Sequence, residues 1–194
     1  MACNLSAGRN EVCKESIGGI QGVYFFNYTT GSFTFEGANT YDTYQTFAPA
    51  KLITQLPASQ SLYFYSLKGT SAYTETVNSS RENGTTFFSQ ELVLNLKKLT
   101  NEMSTQLKLM AYGRPQVIVW TNNGDAFVAG LKLGMDATAG TIQTGAGLGD
   151  LYGYSLTLTG LEPYPAAWIS GSTSTNAIPT SVLNGGTIVY GTNS

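Results

Sequence analysis

Histidine is absent from the 194 residues. That removes every mechanism with an imidazole base, nucleophile partner or metal ligand. Charge is scarce as well: charged residues make up 11 %, against about 25 % in ordinary soluble domains, and the net charge is only -2. A protein that grips DNA or RNA by neutralising phosphates carries a basic excess, and this chain has none. Its charges are scattered, with Lys97-Lys98 the one adjacent basic pair, so no like-charge run reads as an interaction tail. The two cysteines, Cys3 and Cys13, are not in C-x-x-C spacing and have no histidine to help complete a zinc site. They read as reduced thiols, with a disulfide as the alternative. No apolar run approaches the roughly 18 residues of a membrane helix. The opening Met-Ala-Cys-Asn-Leu-Ser-Ala-Gly-Arg has neither a basic leader nor an apolar centre, so a cytoplasmic product is expected. Four Asn-x-Ser/Thr triplets, at Asn4, Asn27, Asn78 and Asn83, read as chance in so Ser/Thr-rich a chain.

What is plentiful points one way. There are 22 Gly, 12 Tyr and 9 Phe, and hydrophobic residues make up 42 %. This mixture favours strands and turns over helices and suffices for a core in one domain. After a polar N-terminal arm (1–19), Ile20 to Tyr28 reads as a strand apolar on both faces. Thr29 to Ser32 reads as a turn and Ser32 to Glu36 as the returning strand of a hairpin. Residues 37–83 read as an inserted loop or hairpin region, with a short strand in Lys51 to Leu56, strands at Ser61 to Lys68 and Thr70 to Val77, and a turn at Asn78 to Gly84.

Thr85 to Lys98 gives the clearest signal. Phe88, Leu92, Leu94 and Leu96 alternate with Phe87, Ser89, Glu91, Asn95 and Lys97, with Val93 as an apolar exception. The run is much longer than the usual strand of about 5–6 residues, as in a large curved sheet. An open edge on so long a strand would need a neighbour to cover it. Thr100 then caps a helix over about residues 101–112, with Glu102 in its first turn and Met103, Leu107, Met110 and Ala111 as one apolar stripe, stopped by Gly113 and Pro115. Gln116 to Thr121 is a buried strand. Asn122-Asn123-Gly124 turns it into a partner running to Gly134. Gly140 to Gly149 reads as a loop, and Leu151 to Leu161 as a last long strand. Residues 170–194 form a C-terminal arm whose Thr187 to Tyr190 could add a strand to a neighbour.

Catalytic chemistry finds no foothold. Gly145-Ala-Gly147-Leu-Gly149-Asp150 looks like a dinucleotide loop only superficially, because it lacks the third-glycine spacing and leads into a strand. Asp136 and Asp150 flank this segment in positions that also suit turn capping. Trp120 and Trp168 could stack on a sugar or serve as core. No catalytic, cofactor-binding or metal-binding residue is assigned, and no enzyme activity or cofactor is expected.

Residues 84–165 resemble the tail tube (major tail) proteins of long-tailed bacteriophages. The resemblance rests on Gly84 to Leu99, the helix through Lys108 to Gly113, Val117 to Gly124, Gly130 to Gly134, Gly140 to Gly145, Gly149 to Glu162, and Pro165. It implies a mainly β fold, a curved β-sandwich or half-barrel with one packing helix. It also implies edge-to-edge joining into hexameric rings, stacked into a tube through which the genome leaves. The expected partners are copies of the chain itself and other phage tail proteins, with DNA as non-specific passing cargo and no membrane. The expected location is the virion, with assembly in the host cytoplasm. A ring, connector or terminator protein of the same fold is one alternative. A receptor- or carbohydrate-binding β-sandwich is another. A slightly acidic conduit would not grip phosphate, and Glu91, on the polar face of the long strand, is the acid suggested to face its lumen.

Overall fold

Alternation of period two decides most of the architecture, and the computed structural model describes it over residues 14, 16–30, 33–37, 39–40 and 52–191. Cys3 and Cys13 lie outside the described residues, as does most of the expected N-terminal arm. The chain is mainly β. Strands β1 (Ile20–Phe26), β2 (Thr34–Phe35), β3 (Asn39–Thr40), β4 (Ile53–Gln55), β5 (Ser61–Ser66), β6 (Ala72–Ser80) and β7 (Thr85–Lys97) precede helix α1 (Asn101–Tyr112). After it come β8 (Gln116–Thr121), β9 (Ala126–Ala129), β10 (Asp136–Gln143), β11 (Gly153–Glu162), β12 (Ala167–Trp168), the single turn of α2 (Thr180–Leu183) and β13 (Thr187–Tyr190).

Three sheets result. A six-stranded sheet has the order β12-β9-β8-β1-β5-β13, a four-stranded sheet the order β10-β11-β7-β6, and a small one the order β3-β2-β4. The six- and four-stranded sheets face each other as a sandwich. Val23 and Phe25 of β1 and Val117 and Val119 of β8 meet Leu92, Leu94 and Leu96 of β7 and Tyr154, Leu156 and Leu158 of β11. Each fully buried Leu, Val or Phe contributes about 1.5–3 kcal/mol relative to exposure. The other face of the six-stranded sheet is also buried. Tyr24, Phe26, Ile118 and Trp120 pack there under Phe33, Phe35 and Ile53 and under Ile178 and Val182 of the C-terminal segment. A sheet covered on both sides needs apolar residues at consecutive positions, which is why Val23 to Phe26, Val117 to Trp120 and Ala126 to Ala129 are continuous apolar runs.

Helix α1 forms where the capping chemistry places it. The Thr100 hydroxyl accepts from Met103 N–H, and Gly113 N–H closes the last turn on Leu109 O. Met110 is buried, with Met103 and Leu107 partly so, against the inter-sheet core. Ala111, expected on the same stripe, is exposed, since it lies a further 100° round the helix from Met110. The buried Tyr154 phenol donates to Thr100 O at 2.9 Å and lies 2.8 Å from the Ser104 hydroxyl, tying the helix start to β11. Tyr154→Phe is expected to cost about 1–2 kcal/mol, read as a lower urea midpoint at unchanged slope. Gly153 opens β11 because only hydrogen fits there: a Cβ would stand 2.1 Å from Leu96 O.

Several sequence expectations are corrected. β1 makes no hairpin with the following segment. Both its edges are taken, by β5 and β8, so β2 pairs instead with β3 and β4. Residues 37–83 are no insertion but supply strands to all three sheets. The strand after the Asn122 turn ends at Ala129, because Gly130 (φ +65°) turns the chain away. Of the expected loop at 140–149, residues 140–143 belong instead to strand β10, and the rest is the turn that follows it. The C-terminal segment folds onto its own molecule, with Thr187 to Tyr190 parallel to β5. β7 has no open edge, being flanked by β11 and β6 along most of its length.

Candidate functional site

The turn after β9 is held by more polar side chains than a simple connection needs. Gly130 N–H donates to Gln90 Oε1 at 2.8 Å, and Gln116 Nε2 donates to Leu131 O at 2.8 Å. Lys132 and Leu133 N–H both donate to Glu162 Oε1, at 3.0 and 2.7 Å. Tyr28 Oη donates to Lys132 O at 2.7 Å, and the Arg114 guanidinium donates to Leu133 O. Five side chains from separate parts of the fold thus fix four consecutive residues. Arg114 also lies over the Tyr28 ring, 5.7 Å from its centroid, and 3.7 Å from Asp136. Glu162 is only 3 % exposed. Burial pushes its carboxyl above the usual carboxylate range, although the two backbone N–H bonds and the nearby Lys132 and Arg114 charges pull the other way.

Beside this clamped turn lies an open recess of about 410 Å³, lined by Thr86, Phe87, Lys132, Leu133, Leu161, Glu162 and Pro163. Phe87, Leu133 and Leu161 remain 40 %, 42 % and 56 % exposed. Rigid support under an apolar surface is the arrangement expected of a contact site.

At the opposite end of β11, residues 144–152 form the turn from β10. Asp150 Oδ2 accepts from Ala146 N–H at 2.9 Å and Gly147 N–H at 2.7 Å, and Gly145 takes φ +71°. The Gly147 and Ala146 bonds hold the Asp150 carboxyl below its usual range. This ordered turn carries Leu148 fully exposed, with Ile142 and Tyr152 also largely exposed nearby in the chain.

The third feature is the four-stranded sheet itself. Among the described residues no strand pairs with the outer edge of β6 or of β10. All its neighbours are antiparallel, so β6 and β10 run in opposite directions. Its outer face presents Thr74, Thr76, Ser89, Glu91, Asn95, Ser155, Thr157 and Thr159 with Val93 and Lys97, and Phe87 and Leu161 of the recess at one end, a largely polar surface with little charge, and Glu91 is exposed there between Thr74 and Thr159.

The residues singled out from sequence fall as follows. Asp150 caps its turn, while Asp136 sits on β10 in the ion pair with Arg114. Gly145 to Asp150 leads into a strand, not a helix. Trp120 is 6 % exposed, packs in the second core and donates to Thr173 O at 3.0 Å, whereas Trp168 stacks on Phe127 at 5.5 Å on the opposite face of the sheet. The two therefore form no common platform. Among the described residues no group of His, Cys, Asp or Glu could hold a metal ion, and no helix is long and apolar enough to cross a membrane.

Sequence reading missed Glu162 and its polar neighbours. Gln90 Nε2 donates to Glu75 Oε1, which also accepts from Ala166 N–H, each at 3.0 Å. The adjacent Tyr73 hydroxyl is buried without a hydrogen-bond partner, and burial foremost raises its pKa. The available signal was a polar residue at an inward position: Gln90 before Leu92, and Glu162 in the series Tyr154, Leu156, Leu158. The chain matches no family model, no curated protein and no solved structure.

Proposed function

We propose that this chain is a structural subunit of a bacteriophage tail tube, without enzymatic activity, which closes into rings that stack around the path of the genome. The observation that carries the reading is the pair of unpaired margins on the four-stranded sheet. With β6 and β10 antiparallel, β6 of one copy set against β10 of the next continues the alternation of strand directions. A ring of such copies is an uninterrupted antiparallel barrel without edges. This joining is heterologous, so it closes by rotation rather than ending at a dimer. The resemblance of residues 84–165 to tail tube proteins supports the same reading.

In such a ring the outer face of the sheet would line the lumen. Hydroxyls and amides there, with Glu91 among them, give passing DNA few cations to hold it. Other tail proteins would meet the two ends of the stack, and the virion would be its location.

The test is an edge block. Lysines on an edge strand oppose strand addition, and Thr76 and Val77 are both exposed on β6, on opposite faces. The purified wild-type protein is expected to show rings or tubes in negative-stain electron microscopy. Thr76→Lys/Val77→Lys should remain monomeric by light scattering, with stability changed by about 0.5 kcal/mol or less per site. A wild type that stays monomeric at high concentration, or rings that persist in the double variant, would overturn the proposal.

A further inference from the structure

We propose that the Leu148 turn of one copy seats in the recess formed by Phe87, Leu133, Leu161 and Pro163 of a second copy, joining the two end to end. This rests on the reading of the chain as a self-assembling subunit and names the contact between stacked rings. The two features sit at opposite ends of one strand: β11 leaves the turn at Gly153 and reaches the recess at Leu161 and Glu162. At about 3.3 Å per residue that is roughly 30 Å, so no chain can fill its own recess with its own Leu148. A protrusion at one end and a recess at the other make a heterologous contact, which repeats indefinitely unless rotation closes it. The direction is also distinct. The margins β6 and β10 lie across the sheet, while the turn and the recess lie along it.

Shape and charge agree with a second copy as the occupant. Leu148 is a fully exposed apolar side chain on a turn fixed by Asp150, so little further ordering is needed on docking. The recess is apolar and its wall is fixed by the Glu162, Tyr28 and Arg114 contacts. Asp150 brings a negative charge beside the protruding leucine, and Lys132, which lines the recess together with Glu162, brings a positive one. Two flush apolar patches would lack such polarity of direction. Here each copy has one donor end and one acceptor end.

The experiment pairs electron microscopy with cross-linking in a Cys3→Ser/Cys13→Ser background. Leu148→Asp should leave rings intact and reduce stacked rings at least about tenfold, because burying one leucine is worth an order of magnitude or more per contact. Leu148→Cys combined with Leu161→Cys should give, under oxidation, a ladder running beyond the dimer that collapses on reduction. Either cysteine alone should give no ladder. An intrachain disulfide is ruled out by the separation, since bridged Cα atoms lie within about 7 Å. Stacks that survive Leu148→Asp, or an absent ladder where the wild type stacks, would sink this contact and leave ring formation standing. In that case the recess belongs to another occupant, a segment of the same chain or another tail protein. Failure of the wild type to form rings at all would remove both proposals together.

Discussion

Glu162→Ala is expected to lower folding stability by about 2 kcal/mol, because it removes the carboxylate acceptor shared by the Lys132 and Leu133 N–H groups, while Glu162→Gln retains an amide oxygen for both. The two variants also separate charge from hydrogen bonding through pH. Burial raises the folded-state pKa of Glu162 above its unfolded value, about 4.3 in model peptides. Over the window between those two values the folded state binds more protons than the unfolded one, so stability falls as pH rises. Below the unfolded value both states are protonated and the penalty vanishes. Above the folded value the penalty is complete. Denaturant titrations from about pH 4 to about pH 7 should therefore show the wild type losing stability relative to Glu162→Gln as pH increases. A difference that stays flat across this range, or rises, would contradict the assignment. Glu162→Ala should in addition loosen the turn at 130–134. That unseats Leu133 from the recess and weakens any contact made there.

Where one face is buried and the other wet, the fold could be read residue by residue. β7 and β11 announced themselves through Leu92, Leu94 and Leu96 and through Tyr154, Leu156 and Leu158. Local hydrogen bonding set the start of α1 at Thr100 and the turn at Asn122 to Gly124. The failures share a cause: strand pairing is non-local. Nothing in Ile20 to Glu36 reveals that β5 and β8 already occupy both edges of β1, so good turn chemistry suggested a hairpin that does not form. β10 escaped notice because Asp136 to Gln143 is exposed at nearly every position, which leaves no alternation to detect. β13 escaped because its partner β5 lies far upstream.

The surfaces that carry the proposed assembly were legible only in part. Polar residues on one side of a long strand gave the outer face, including Glu91. Unpaired margins were anticipated but placed on the wrong strand. The longest strand lies within the sheet, where length is rewarded by pairing on both sides, and the margins fall to β6 and β10. The recess had no local signature. It is made by Phe87, Leu133 and Leu161 from three segments, and only the fold brings them together. The Leu148 turn was read as a connection. A lone leucine among glycines carries meaning once Asp150 is seen to fix the turn and leave it fully exposed.

Leu94→Ala should be the most damaging single truncation tied to the sheet, costing about 3 kcal/mol and lowering the melting temperature by about 6–12 °C for a chain of this size. Leu94 is fully buried opposite Leu156 in the C-terminal half of β7, and both β7 and β11 press their inward faces on the six-stranded sheet. A cavity there removes contacts from both layers, and a close-packed core held by sheet pairing can relax only partly. Three residues earlier on the same strand, Glu91→Gln should change stability by about 0.5 kcal/mol or less, since that side chain faces outward. The contrast separates two ways of losing assembly. Leu94→Ala would abolish the proposed rings by depleting the folded subunit, so added osmolyte or lower temperature within the stable range should restore them. Thr76→Lys/Val77→Lys would abolish rings in a subunit that melts like the wild type, and no stabiliser should restore them. Rings lost in Leu94→Ala at a temperature where circular dichroism still shows a fully folded chain would mean that the core of this sheet, and not only its margins, adapts its shape when copies join.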